Sequence, residues 1–166
     1  MMGAGKSSVG RCLERRTGLR RFDTDEIVSK RFNKTITQIF SELGEDRFRT
    51  AETEALASLS PSPAAIIVTG GGIVLRAENL ELLRRLGVVV WLDAEEETLY
   101  QRATRRETRP LLKTENPRAT LAEIATARAP LYSSASELRV DTTNRSHEEI
   151  ADVILDAIEA RTTAAS

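Results

Sequence analysis

The sequence is poor in the residues that build metal and disulfide sites: one cysteine, Cys12, and one histidine, His147, in 166 residues. A lone cysteine closes no internal disulfide, and together the two supply no transition-metal ligand set. Both read as structural or solvent-facing positions. Aromatics are scarce at 4%, and charge of neither sign dominates, with 24 Lys+Arg against 25 Asp+Glu. That balance argues against wholesale nucleic-acid or membrane-surface binding. No apolar run approaches the roughly 20 residues that cross a bilayer, and the opening Met-Met-Gly-Ala-Gly-Lys has no apolar signal-peptide stretch. The chain therefore reads as cytoplasmic. With 40% hydrophobic and 30% charged residues, the composition is that of a folded chain, and the length fits one domain. That domain is expected over 1–161, with a flexible tail at 162–166.

What is present alternates short apolar runs with longer helical patterns, which means an α/β fold. A helix is expected from Ser7 to about Arg16, stopping at Gly18, followed by a short strand near Arg21–Thr24 and a helix over Asp25–Phe32. Ile36, Ile39, Phe40 and Leu43 begin a helical stripe that resumes beyond Gly44 and ends before Pro61. Ala65–Thr69 and Val88–Leu92 read as buried parallel strands, with a helix over about Ala77–Leu86 between them. Glu95–Thr104 is helical. The stretch from Arg105 to Arg118, rich in Arg and without apolar period, reads as a mobile loop, and such a length usually has a functional reason. Helix returns over Thr120–Ala129, Leu138–Asp141 is a last strand, and Ser146 with Glu149 forms a capping box for a closing helix.

Gly3-Ala4-Gly5-Lys6-Ser7 matches the second half of the phosphate-binding pattern G-x-x-x-x-G-K-[ST]. Backbone N–H groups of such a loop and the helix that follows wrap a polyphosphate, while the lysine reaches the transferred phosphate and the hydroxyl binds magnesium. The first glycine of the pattern would precede Met1, as would the apolar strand that leads into it. The expectation is that Met1 is internal to a longer natural chain, the alternative being a chain that tolerates the defect. Loss of a central strand would leave a groove lined by apolar side chains.

Asp23-Thr24-Asp25 closes a short strand at the sheet edge where ligands bind. One carboxylate there can serve the water shell of magnesium and the other an acceptor hydroxyl, the alternative being a helix cap alone, which two Asp flanking a Thr after a strand make the lesser reading. Arg49 and Glu52 stand one helical turn apart, so Glu52 is placed to fix the guanidinium for a substrate carboxylate, or the two form a surface pair. Gly70-Gly71-Gly72 permits close approach of a small ligand or is simply a turn. Arg109 lies in the cationic loop, where an Arg can close over a transferring phosphate, and Arg128 stands near a helix end. Either alone would be assigned to solvent.

In this order, Gly3-Ala4-Gly5-Lys6-Ser7, Asp23-Thr24-Asp25, Phe48-Arg49 with Glu52, the triple glycine, Arg109-Pro110-Leu111-Leu112 and Arg128-Ala129-Pro130-Leu131-Tyr132 resemble the shikimate kinase family from Met1 to about Ile158. The resemblance implies a three-layer P-loop kinase fold with a five-stranded parallel sheet, its first strand missing from this chain, and a mobile lid at about 105–118. It implies phosphorylation of the 3-hydroxyl of shikimate by ATP with one Mg²⁺, in aromatic amino-acid biosynthesis, by a monomer without nucleic-acid or membrane partners. By position, Gly3, Ala4, Gly5, Lys6, Ser7 and Ser8 would hold the phosphates, and Ser7 and Asp23 the metal. Asp25 would bind the acceptor hydroxyls as base, Arg49 and Arg128 the carboxylate, and Gly71 and Gly72 the ring. Arg109 and Lys6 would assist transfer, with Arg102 and Arg145 on the adenine side. A gluconate-type kinase of the same architecture and an inactive binding module are the competing readings.

Overall fold

The computed structural model describes residues 1–60, 63–105, 110–112 and 114–164. Four short strands form two parallel pairs. β1 (Arg21–Asp23) lies beside β2 (Ile66–Val68), with Arg21 opposite Ile66 and Asp23 opposite Val68. β3 (Val90–Asp93) lies beside β4 (Leu138–Asp141), with Val90 opposite Leu138 and Asp93 opposite Asp141. Parallel pairing needs long crossovers, and helices supply them. In chain order these are α1 (Lys6–Thr17), α2 (Thr24–Phe32), α3 (Ile36–Ala57), α4 (Ala77–Leu86), α5 (Glu96–Thr104), α6 (Pro117–Ala135) and α7 (His147–Ala164).

The expected α/β class with parallel strands holds, and among the described residues the four strands form two pairs that do not hydrogen-bond to each other. A cavity of about 170 Å³ lies between β2 and β3, lined by Ile67, Thr69, Val90, Trp91 and Leu92, with Met1 at one end. The anticipated apolar groove is therefore present. Each facing strand keeps an edge without a ladder partner there, which is where an added strand would bond.

Two apolar clusters hold the layers together. The larger joins Val9 of α1, Leu56 of α3, Trp91 and Leu92 of β3, Leu121 and Tyr132 of α6, and Ile150 of α7. The smaller packs Val28 of α2 against Ile39, Phe48, Ala51 and Ala55 of α3. Gly44 (φ 81°) bends α3 at the point where the sequence stripe is interrupted, bringing both halves of that helix onto α2. The capping box of α7 is formed as expected, with Ser146 N–H donating to Glu149 at 2.8 Å and Glu149 N–H to Ser146 Oγ at 3.2 Å.

Two elements run further than the sequence suggests. α6 begins at Pro117 and continues through Pro130 to Ala135, beyond the expected Thr120–Ala129. A proline inside a helix removes one backbone bond; here tertiary anchors on either side, Arg128 and Tyr132, hold the last turns in place. α7 takes in residues 162–164 of the expected flexible tail, with Thr162 and Thr163 hydroxyls bonded to carbonyls one turn back.

An apolar, β-branched segment of about five residues followed by glycine, fused ahead of Met1, is expected to settle between β2 and β3. It should raise the melting temperature by roughly 5 °C or more. An unchanged melting temperature would show that the cavity does not accept a strand.

Candidate active site

The loop before α1 has the conformation that an anion site needs. Gly3 (φ 78°) and Gly5 (φ 84°) occupy left-handed backbone, and Gly5 is the N-cap, so no side chain competes for the first-turn N–H groups. No acidic residue lies in that turn. The positive helix end is thus available to a phosphate, with Ser7 and Ser8 half-buried on it. Ala4 is fully buried, and the chain at Gly3 passes so close to the Leu99 carbonyl that a Cβ would collide with it. Lys6 folds back over the loop and donates to the Met1 carbonyl at 2.6 Å.

The adenine-side candidates converge on the segment after β4. Arg102 donates to Thr142 Oγ1 (3.0 Å), Thr142 O (2.9 Å) and Thr143 O (3.1 Å), and Arg145 to Asp141 O (3.5 Å). That segment leads into α7, whose His147 ring comes within 3.7 Å of the position above Gly5. The phosphate loop and both arginines therefore share one neighbourhood.

At the C-terminal edge of β1, Asp23 is the cap of α2, accepting from Asp25 N–H at 3.0 Å, and it also faces Arg21 at 3.4 Å. Cap and ligand readings of this residue are compatible. Burial, joined by the nearby carboxylates of Asp25 and Glu26, raises the Asp23 pKa above its ordinary value. Between the two aspartates, fully buried Thr24 accepts from Gly70 N–H at 3.3 Å, tying the strand edge to the triple glycine.

Around that glycine turn lies a pocket of about 90 Å³ lined by Asp25, Arg49, Glu52, Gly70, Gly71, Gly72 and Arg128, with Phe40, Phe48 and Leu111 among its apolar walls. The structure brings together all five residues assigned to the acceptor. Arg49 is buried and doubly clamped: Nη1 donates to Glu52 at 2.9 Å, while Nε and Nη2 donate to Glu45 at 3.1 and 2.8 Å. The surface-pair alternative fails, since the Glu52 side chain is fully buried. Burial opposes the Arg49 charge, but the carboxylates of Glu52 and Glu45 more than offset it, so its pKa is raised. Burial pushes Glu52 upward too, Arg49 only partly reversing it, and Glu52 Oε1 has no hydrogen-bond partner.

Arg128 donates to Gly71 O at 3.2 Å, and Tyr132 donates to the same oxygen. Arg109 lies outside the described residues, whereas Leu111 of the same motif reaches the pocket wall from a turn at Pro110–Leu112. Sequence reasoning overlooked three contributors. Glu45 and Tyr132 each stand four residues from a chosen arginine, a spacing that marks a shared helix face; the bond made by Thr24 had no signal in sequence.

A phosphate-shaped helix start, aspartates at a strand edge and an arginine-lined pocket for a small acid define a P-loop small-molecule kinase. The family model for shikimate kinase matches residues 2–159. The chain is 42% identical over 163 residues to the shikimate kinase of Symbiobacterium thermophilum, covering 97% of this chain and 94% of that one. Against the Geobacter sulfurreducens enzyme identity is 43% over 149 residues, covering 90% and 82%. The solved shikimate kinase from Acinetobacter baumannii in complex with shikimate superposes with a TM-score of 0.90 at 36% identity, over 96% of this chain and 89% of that one. The Aquifex aeolicus enzyme gives 0.81 at 31%, over 98% and 94%. The chain belongs to the shikimate kinase family.

Asp23→Asn preserves the cap, because Asn caps as well as Asp. With the folded-state pKa above the unfolded one, the native state holds an extra proton between the two values, and stability falls as pH rises through that window. Melting curves between about pH 4 and about pH 8 should show the wild type losing ground to Asp23→Asn as pH rises. A pH-independent gap would remove the raised Asp23 from the account.

Proposed function

We propose that the chain transfers the γ-phosphoryl group of ATP to the 3-hydroxyl of shikimate, giving shikimate 3-phosphate and ADP. The observation that carries this reading is the convergence of one aspartate, Asp25, and two arginines, Arg49 and Arg128, on a single glycine-floored pocket. An acceptor with one carboxylate and several hydroxyls needs that combination: fixed cations for the acid and a carboxylate for the reacting oxygen.

Backbone N–H groups of Gly3 to Ser8 hold the phosphates, with Lys6 swinging from the Met1 carbonyl to the γ-phosphate. Arg49 and Arg128 receive the acceptor carboxylate, and Gly71 and Gly72 lie under its ring. Asp25 takes the hydroxyl proton as that oxygen bonds to the γ-phosphorus and the bond to the ADP oxygen breaks. Arg109 stabilises the charge that develops on the transferring group, and Arg102 and Arg145 flank the base.

The donor set suits Mg²⁺. Hard oxygens from one hydroxyl and one carboxylate match an ion that keeps most of its waters and takes the rest of its shell from phosphates. Asp23 is already engaged by Asp25 N–H and Arg21, which favours contact through water, and a cation would offset the burial and, after it, the nearby carboxylates that raise its pKa. Ser7 directly and Asp23 through water would hold the ion, which supplies charge neutralisation at the phosphates. The reading takes the enzyme as a monomer, one chain supplying Asp25, Arg49 and Arg128 to the acceptor pocket, and as cytoplasmic, where ATP is at hand.

ADP release with ATP and Mg²⁺ should depend on shikimate and not occur with gluconate as acceptor. Asp25→Asn should lower turnover by about 100-fold or more while leaving ATP affinity within about twofold. Release with gluconate alone would reassign the acceptor, release with neither acceptor would favour an inactive binding module, and near-normal turnover of the variant would remove the base.

A further inference from the structure

We propose that Tyr132 is a positioning residue for the acceptor: its hydroxyl holds the Gly71 carbonyl so that the Arg128 guanidinium is left for the substrate carboxylate. This rests on the acceptor assignment of Arg128 above. Arg128 and Tyr132 stand four residues apart on one face of α6, and both donate to Gly71 O. A guanidinium carries five N–H donors in a fixed fork, and one bond to Gly71 leaves the rest to meet a carboxylate.

The phenol is anchored from the sheet side. Its ring stacks on Trp91 of β3, with centroids 5.6 Å apart and planes inclined by 20°, and Arg139 covers the Trp91 ring at 4.6 Å. Tyr132 lines the cavity between the strand pairs and not the acceptor pocket, so it acts on the acceptor only through Gly71 and Arg128. Burial raises the phenol pKa, which keeps the donor proton in place at neutral pH. Without the hydroxyl, Gly71 O retains Arg128 as its side-chain donor and draws the guanidinium toward itself. Gly72, packed under the Arg49 guanidinium, loses its fixed height at the same time.

Tyr132→Phe keeps the stacked ring and removes the bond. The KM for shikimate should rise about fivefold to tenfold, as expected for a lost neutral hydrogen bond, while kcat and the KM for ATP stay within about twofold. With the carboxamide of shikimate as acceptor, the variant and wild type should no longer differ, because the charge that Arg128 serves is gone. Trp91, the single tryptophan, stacks on Tyr132, so its fluorescence is a second readout to be followed as shikimate is added. An unchanged KM for shikimate, or an equal rise for both substrates, overturns the proposal. Arg128→Lys separates the two levels. If it leaves acceptor affinity intact, the carboxylate assignment itself falls; if it weakens binding and Tyr132→Phe does not, the role of Tyr132 alone falls.

Discussion

At Gly70 and Gly72 the turn leaves no room for a side chain, and the proposed acceptor pocket is built on that constraint. A Cβ on Gly70 would run into the carboxylate of Glu52 and stand 2.8 Å from Asp25 Oδ1, and one on Gly72 would overlap the Arg49 guanidinium. Three helices use the same turn as their reference point. Thr24 fixes Gly70 N–H, Arg128 and Tyr132 fix Gly71 O, and α3 lays Arg49 across Gly72. Charged groups from α2, α3 and α6 thus meet around a backbone that occupies almost no volume, which is how a pocket of about 90 Å³ can hold an aspartate and two arginines.

Concentrating charge in this way has a cost that the structure meets by pairing. Removing one partner of a buried ion pair costs about 3–5 kcal/mol, because the survivor is left uncompensated. Arg49 has carboxylates on both sides and the aromatic faces of Phe40 and Phe48 at 5.8 and 5.2 Å. Glu52 satisfies one oxygen with Arg49 and keeps the other without a bond. A substrate hydroxyl can meet such an atom where a packed protein group cannot. The apolar cluster of α2 and α3 underneath gives the guanidinium a rigid seat, so its orientation is set before the acceptor arrives.

What was legible in the sequence is what is local. Gly-Lys-Ser opening a helix, Asp23 and Asp25 after a strand, and Arg49 with Glu52 one turn on are patterns of a few residues whose geometry follows from helix and strand periods alone. The boundaries of α4 and the capping box of α7 follow for the same reason. The rest depends on contacts between distant segments. Nothing around Thr24 announces a bond to Gly70, and the reach of α6 past Pro130 is set by Gly71, far away in sequence. Glu45 carried the right spacing but sat among so many acidic residues that only burial of Arg49 distinguishes it. Among the described residues no strand lies between β2 and β3, and the sheet divides there into two pairs.

Gly72→Ala tests the governing constraint most directly. The added methyl meets the far end of the Arg49 side chain and not backbone, so the fold can survive while the guanidinium is displaced. Measured side by side, shikimate affinity should fall more than about tenfold, in the range expected for a lost hydrogen bond to a charged group, with ATP affinity unchanged. Wild-type shikimate affinity in a folded Gly72→Ala protein would contradict an acceptor pocket built on the glycine turn.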